Sequence, residues 1–414
     1  MSSITSLKAV VIGAGPAGLM AAEQLAKQQI PVTVYDAMPS VGRKFLRAGI
    51  GGLNLTHSEG KPAFINRYQP REAVAPWLDV FDSEDLVQWA KELGVETFVG
   101  SSGRVFPTQK KAAPLLRAWL KRLKESGVTI ETRHRWLGWN DQGDLRIQSP
   151  MEELTVRSQV VIFALGGGSW ARLGSDGHWL SVFEKHGVDC QPFRPSNCGF
   201  NYPWSDTFKQ EQGGQPLKGV VLTCGEHTKK GDATLSHYGV EGSLIYGLSA
   251  PIRDAIELAG EALVHWDLLP DLSLDEIRAK LKKRRAKDSL SNVLRKQLSL
   301  SGGKLALLKA LITKEQMQDL ETLPALLKHL PQRLQSCRPI DEAISTAGGI
   351  TMDSLNDELM IKAMPGTFCI GEMLDWDAPT GGYLLTACYA SGLVAGKGAV
   401  DYLKNASSGT ENIL

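Results

Sequence analysis

The sequence predicts a mixed α/β fold in which both ends of the chain build one discontinuous domain and a β-rich domain carrying a helical subdomain is inserted between them. Three observations predict it. A strand, glycine turn, helix and second strand open the chain between Lys8 and Asp36. A short strand, a Gly-Glu step, a glycine pair and an Ala/Gly-rich helix close it between Phe368 and about Ala399. From about Cys190 the composition shifts to Pro, aromatic residues and short alternating segments, as expected of a β-rich region.

Ala9-Val10-Val11-Ile12 is an uncharged apolar run, the pattern of a strand buried on both faces. Gly13, Gly15 and Gly18 follow at GxGxxG spacing and lead into a helical segment from about Pro16 to Gln28. Val32 to Tyr35 is a second apolar run, and Asp36 closes it. The first glycine permits a tight turn, the second lets the backbone approach a pyrophosphate, and the third brings helix and strand together. The helix start, with Pro16 and Ala17, offers free N–H groups and a partial positive charge to that anion. Asp36 can accept hydrogen bonds from ribose hydroxyls. This is a Rossmann-like dinucleotide site, and the motif by itself serves FAD or NAD equally.

The 414 residues suffice for two or three domains, and 43% hydrophobic against 22% charged content is that of a folded chain. With 46 basic and 45 acidic residues there is no global attraction to nucleic acid or membrane. The six cysteines form no CxxC pair and no zinc spacing with the eight histidines, so reduced thiols and no metal are expected. The N-terminus has no signal-peptide layout, and no uncharged apolar run approaches a membrane span. The expectation is a soluble cytoplasmic protein.

Residues 37–59 are rich in glycine (Gly42, Gly49, Gly51, Gly52) and basic (Arg43, Lys44, Arg47). Such a loop can lie against a ligand, with Arg43 and Lys44 neutralising pyrophosphate charge. The order GxGxxG, acid, Gly42-Arg43-Lys44-Phe45, glycine cluster and Asn54-Leu55-Thr56-His57 resembles the bacterial NAD(P)/FAD-dependent oxidoreductase family that includes the BaiN and aminoacetone oxidase-like flavoproteins. Where that family has Arg-Cys, this chain has Gly52-Leu53, which marks a divergent branch. Any substrate role of that pair does not carry over.

Residues 71–127 read as helices with a short connector, and Gly103-Arg104-Val105-Phe106-Pro107 resembles the family's GRVFP signature before a helix from about Ala112 to Ser126. Val128 to Thr132 reads as a strand, and Trp136 beyond it is a candidate cover for an adenine ring. Leu145 to Val156 suggests a hairpin across Ser149 to Glu152, and Val160 to Leu165 another buried strand. The glycine run from Gly166 to Gly168 suits a chain crossing near the cofactor, but lacks the layout of a second nicotinamide site. In the β-rich region His237 matches a family histidine, and with Tyr238 it is a candidate to bind or protonate substrate. Residues 271–335 read as helical. Their basic cluster (Arg278, Lys280, Lys282, Lys283, Arg284, Arg285, Lys287) has no interleaved aromatics and lies beside Asp275, Glu276 and Asp288, so it reads as a solvated face and not a nucleic-acid surface.

Thr346 to Ile350 resembles the family's TAGGV segment, where the chain returns to the first domain. Gly371-Glu372, Leu374-Asp375 and Gly381-Gly382-Tyr383-Leu384 resemble its C-terminal GE, LD and GGY block. Glu372 can accept a hydrogen bond from a ribityl hydroxyl, and the helix starting near Gly382 can aim its positive end at the flavin N1/O2 edge. Gripping at both ends favours FAD over NAD. The cofactor-binding set therefore includes Gly49, Trp136, Gly166, Gly371, Asp375, Gly381 and Leu384 besides the residues of the first motif and the basic pair.

The expected boundaries are 1–188 with 346–405 for the FAD domain, 189–270 with 336–345 for the β-rich domain, 271–335 for the helical insert and 406–414 for a frayed tail. The resemblance implies one non-covalent FAD, with NAD(P)H as a transient donor and hydride passing from flavin N5 to an unsaturated small organic substrate. An oxidase of an amine or similar donor is the alternative. A flavin-containing RNA-binding or RNA-modifying protein is the reading from a different class. No general acid or base stands out, and His237, Tyr238 and Tyr383 are the candidates.

Overall fold

A computed structural model describes residues 4–285 and 288–411, so Lys287 of the basic cluster and residues 412–414 of the expected tail lie outside the described residues. The chain divides into two compact units, Met1–Arg194 with Ser345–Leu414, and Pro195–Ile344.

In the first unit a parallel sheet places Thr129–Thr132, Val32–Asp36, Ile4–Ile12 and Glu153–Phe163 side by side, with Thr367–Cys369 parallel on the far side of the last strand. Leu145–Gln148 and Arg135–Trp139 continue the sheet as an antiparallel meander. Val10, Val11, Val160 and Ile162 are buried, which is why these strands read as continuous apolar runs. Residues 153–163 form one strand of 11 residues where the sequence suggested a hairpin arm and a separate strand. Its first half pairs with the hairpin and its second half with Thr367–Cys369, so one strand serves two patterns.

The helix Pro16–Lys27 makes the crossover between the first two strands. Its buried back carries Glu23, 3% exposed, whose Oε2 accepts from the indole N–H of Trp119 at 2.7 Å and of Trp89 at 3.4 Å. Arg122 Nη2 lies 3.0 Å from Oε1, an ion pair that is not aligned as a hydrogen bond. The carboxylate thereby ties this helix to Ser83–Glu92 and Ala112–Glu125. The closing helix runs Tyr383–Glu411, well past Ala399, so the frayed tail expected from 406 is helical through Glu411. Polar composition alone does not end a helix, and no proline interrupts this one.

In the second unit seven strands form a sheet in the order Leu330–Leu334, Ala262–Asp267, Gln215–Cys224, His227–Leu235, Gly239–Glu241, Phe200–Asn201 and Ser336–Cys337. The helices Leu274–Leu281, Leu290–Leu298 and Gly302–Leu311 belong to the same unit and share its apolar core. The helical insert is shorter than expected, because Leu330–Leu334 is a strand antiparallel to Ala262–Asp267. Its alternation explains this: Leu330, Gln332 and Leu334 point inward and Pro331 and Arg333 outward. In the basic cluster Arg278 pairs with Asp275 at 3.2 Å and Arg285 with Asp288 at 3.1 Å, as on a solvated face.

Candidate functional site

The first unit gathers both ends of the predicted grip. Gly13 has φ +108° and donates its N–H to Tyr35 O at 2.7 Å. A Cβ on Gly13 would run into Ala164 O, and one on Gly18 into Gly13 O, so both positions are fixed by packing. Gly15 differs: a Cβ there would meet no protein atom within 4 Å. It is the N-cap of Pro16–Lys27, and no side chain caps the helix. The turn is therefore kept bare in front of an uncapped helix start, the cradle a pyrophosphate requires.

Asp36 closes the adjacent strand. Its Oδ2 accepts from Ala14 N–H and its Oδ1 from Met38 N–H, both at 2.8 Å. Burial pushes its carboxyl up, against the opposing pull of those two amides and of Arg43 and Arg135. Gly42 N–H donates to Ala14 O at 3.0 Å, docking the basic loop on the glycine turn. Arg43 reaches Ser40 Oγ at 3.2 Å, while its buried Nε has no hydrogen-bond partner among the described residues. A bare cradle beside an orphaned buried guanidinium N–H fits an anionic dinucleotide.

At the other end Glu372 Oε1 accepts from Thr346 N–H at 3.0 Å, and Oε2 from Lys44 Nζ at 2.6 Å. Lys44 also donates to Ser169 Oγ at 2.8 Å. Lys44 is thus latched to the C-terminal acid and is not free over the glycine turn. Gly371 donates to Ser391 Oγ at 3.1 Å, and Asp375 Oδ1 accepts from Gly348 N–H at 3.1 Å, which holds the loop. Gly382 has φ +92°, and a Cβ on it would strike the Thr56 backbone, so the helix start is pressed on the strand Thr56–His57. Thr56 and Thr386 hydroxyls bridge that contact at 2.9 Å.

Tyr383 is 5% exposed and its O–H donates to Glu59 Oε1 at 2.5 Å. Burial first and the Glu59 carboxylate second push its phenol up, so it stays protonated. Glu59 also takes a two-pronged contact from Arg67 at 3.0 and 2.8 Å, and its own N–H donates to His57 Nδ1 at 3.1 Å. The His57 and Tyr383 rings stack at 5.5 Å. Burial pushes the Glu59 carboxyl up, but Arg67 and Tyr383 outweigh it and hold the group below the usual carboxylate range.

Several expected residues have other roles. Trp136 packs into the core against Phe163 at 4.7 Å, Trp139 at 4.8 Å and Phe183 at 5.8 Å. The chain at the Asp36 end is Arg133 and His134, whose N–H groups donate to Met38 O at 3.0 Å and Asp36 O at 2.9 Å. Gly49 packs on Ala112, and Gly166 faces Ser175 Oγ and accepts Trp179 Nε1–H at 2.8 Å through its carbonyl. Gly167 is the glycine pressed on Thr346 and Glu372. His237 and Tyr238 lie in the second unit and Tyr383 in the first. His237 is exposed beside Gly213, and the Tyr238 hydroxyl donates to Glu241 while the Arg338 guanidinium sits 4.2 Å over its ring. Glu59, His57, Arg67, Thr346 and Ser169 were missed. His57 stands in the Asn54 motif, Thr346 in the TAGGV-like segment and Ser169 directly after the glycine run, whereas Glu59 and Arg67 carried no sequence signal.

Among the described residues no group of three or more His, Cys, Asp or Glu can hold a metal. No described helix is long and apolar enough to cross a membrane.

A parallel sheet with a bare glycine turn, a half-buried acid on the next strand and a closing helix defines a Rossmann-type protein. The chain belongs to the family described as HI0933-like protein Rossmann domain, whose model matches residues 7–398. It is 24% identical to a "3-dehydro-bile acid delta(4,6)-reductase" of Clostridium scindens over 94% of this chain and 98% of that protein. It is also 24% identical to a "Ribosomal RNA dihydrouridine synthase" of Haemophilus influenzae over 90% and 94%. In fold it is similar to a 3-ketosteroid delta1-dehydrogenase from Sterolibacterium denitrificans (TM-score 0.54, 10% identity, 96% of this chain and 100% of that one). It also resembles a flavocytochrome c3 fumarate reductase (TM-score 0.51, 14% identity, 96% and 79%).

Proposed function

We propose that this protein is an FAD-dependent oxidoreductase that adds hydride to a carbon–carbon double bond conjugated with a carbonyl in a small organic substrate, with NAD(P)H as electron donor. The observation that carries the reading is the bare cradle at Gly15 with Asp36 on one side and the Glu372 loop and Tyr383 helix in the same unit. Held there without a covalent bond, FAD supplies two-electron hydride chemistry. Gly15 and the start of Pro16–Lys27 take the pyrophosphate, Asp36 accepts from the ribose, Arg43 compensates charge, and Glu372 accepts from the ribityl chain. The start of the closing helix favours negative charge beside it. The names of the two relatives support the reaction class. Making a dihydrouridine and reducing a bile-acid alkene both place two hydrogens across a carbon–carbon double bond conjugated with a carbonyl.

Anaerobic titration of the purified FAD-loaded protein with NADPH and then NADH, following the visible flavin band, tests the donor. Bleaching by either supports the reductase. Bleaching by amines alone moves the assignment to an oxidase. The dihydrouridine synthase name supports a second reading, in which the alkene is a uracil ring in ribosomal RNA. Reoxidation of the bleached protein by unmodified ribosomal RNA and not by steroid enones would establish that reading and overturn the small-substrate one.

A further inference from the structure

Cys198 and Cys337 bracket the second unit, standing near its first and last residues in Pro195–Ile344. Phe200 pairs with Cys337 in an antiparallel ladder, and Arg338 N–H donates to Gly199 O at 2.9 Å. Cys198 immediately precedes Gly199 and stands two residues before Phe200, so these contacts bring the two cysteines to neighbouring positions of the paired segments. The two thiols shift each other's ionisation, Cys337 favouring the Cys198 thiolate and Cys198 holding the Cys337 thiol protonated. Cys198 is 1% exposed, and its Sγ lies 3.5 Å from the Ser249 hydroxyl. The buried Arg253 guanidinium is oriented by Pro195 O at 3.2 Å and Asp254 Oδ1 at 3.1 Å.

We propose that Cys198 and Cys337 are a peroxide-sensitive dithiol that closes into a reversible disulfide joining the two ends of the second unit. The chemistry balances as two thiols and one hydroperoxide giving one disulfide, with water and the alcohol of the peroxide released (two waters for hydrogen peroxide). Cys198 thiolate attacks the peroxide oxygen and becomes a sulfenic acid. The Cys337 sulfur then displaces hydroxide from it; the Cys198 proton leaves in the alcohol of the peroxide and the Cys337 proton in the water. Cys198 is the attacking group because the Cys337 thiol, the Ser249 hydroxyl and the Arg253 charge all favour its thiolate, outweighing burial. Burial instead pushes Cys190 and Cys388 up to about 12 and raises Cys224 and Cys369, so these four remain inert thiols.

The test treats the full-length protein with hydrogen peroxide, blocks remaining thiols with N-ethylmaleimide after denaturation, and maps the peptides by mass. Two of the six thiols should disappear together. A single linked peptide pair carrying Cys198 and Cys337 should appear, and dithiothreitol should restore both thiols. In Cys337→Ser the reaction should stop at Cys198 sulfenic acid, captured by dimedone at least tenfold more than in the parent protein. Full maleimide labelling of both cysteines in peroxide-treated parent protein overturns the proposal whether or not the variant folds. Equal dimedone capture in parent and variant also overturns it.

Discussion

The two ends of the proposed cofactor grip are built from different materials. At the N-terminal end the cradle is backbone: Gly13 and Gly18 are locked by packing, and Gly15 is left bare. At the C-terminal end the recognition groups are side chains that already hold one another, with Lys44 on Glu372 and Ser169, and Tyr383 on Glu59. The backbone end presents its donors without rearrangement. The side-chain end is pre-organised by charge pairing, and a ligand there adds to existing bonds or displaces them. The first end should therefore be sensitive to shape, and the second to charge.

Gly15→Val is the sharpest way to break the first end. Its Cβ meets no protein atom, so melting of the FAD-free protein should change little. Pyrophosphate contacts are charge-assisted hydrogen bonds worth ~1.5–3 kcal/mol each, and losing two should weaken FAD binding roughly a hundredfold or more. Gly18→Val should do the reverse in kind, destabilising the protein before FAD is added, by ~1–3 kcal/mol or more of overpacking. Fluorescence titration with FAD and melting without it separate the two. Equal loss of stability in both variants would show that Gly15 is a packing glycine and that the cradle is not preformed.

The back of the same helix provides a control that touches the scaffold and not the site. Glu23→Ala leaves two indole N–H groups without their acceptor and Arg122 without its ion-pair partner, and should cost about 3 kcal/mol of stability. FAD affinity of the folded fraction should stay within about threefold, since that change is under 1 kcal/mol. Chemical denaturation with and without excess FAD measures both.

The N-terminal end was legible because its parts are local: strand, turn, helix and acid fall within one crossover, and each glycine has its own steric reason. The C-terminal glycines and Glu372 were legible for the same reason. What escaped the sequence is what long-range pairing decides. Lys44 and Glu372 are 328 residues apart, so nothing near Lys44 shows that it is engaged by an acid and not by phosphate. Glu23 sits in an Ala-rich helix, and its indole and guanidinium partners lie on other helices. Trp136 lies on a strand packed inward against Phe163, while His134, with no motif of its own, is the residue whose N–H reaches Asp36 O. Strand Leu330–Leu334 was readable in its own alternation, but it lies at the end of a stretch read as helical throughout.

Glu372→Gln tests the claim that the second end is governed by charge. The amide keeps one acceptor and the shape, but leaves Lys44, with its side chain 29% exposed, without its anion. Lys44 is then free to meet ligand phosphate, so FAD affinity should change by less than about tenfold, or ~1.4 kcal/mol. Its salt dependence should steepen as an unpaired cation takes over part of the attraction. Lys44→Met should flatten that dependence. Identical salt slopes in all three proteins would mean that the latch has no bearing on the ligand.

The smallest effect belongs to Asp36, whose carboxylate is held by backbone amides and, in the proposed function, also serves the ribose. Burial raises its carboxyl above the ordinary 3.8, so the folded protein holds that proton at a pH where the unfolded chain has lost it. Its contribution to the stability of the FAD-free protein is therefore present below the unfolded value and is lost as pH rises through the folded one. Ribose recognition runs the other way, since only the ionised group is a strong acceptor. FAD affinity should fall as pH is lowered through the same window, by about fivefold for ~1 kcal/mol of weakened hydrogen bonding. Asp36→Asn should remove that step while leaving the Gly15 effect intact. The measurement is FAD dissociation across the acid range in both proteins, and a step of the same size in the variant would assign the titration to another carboxylate.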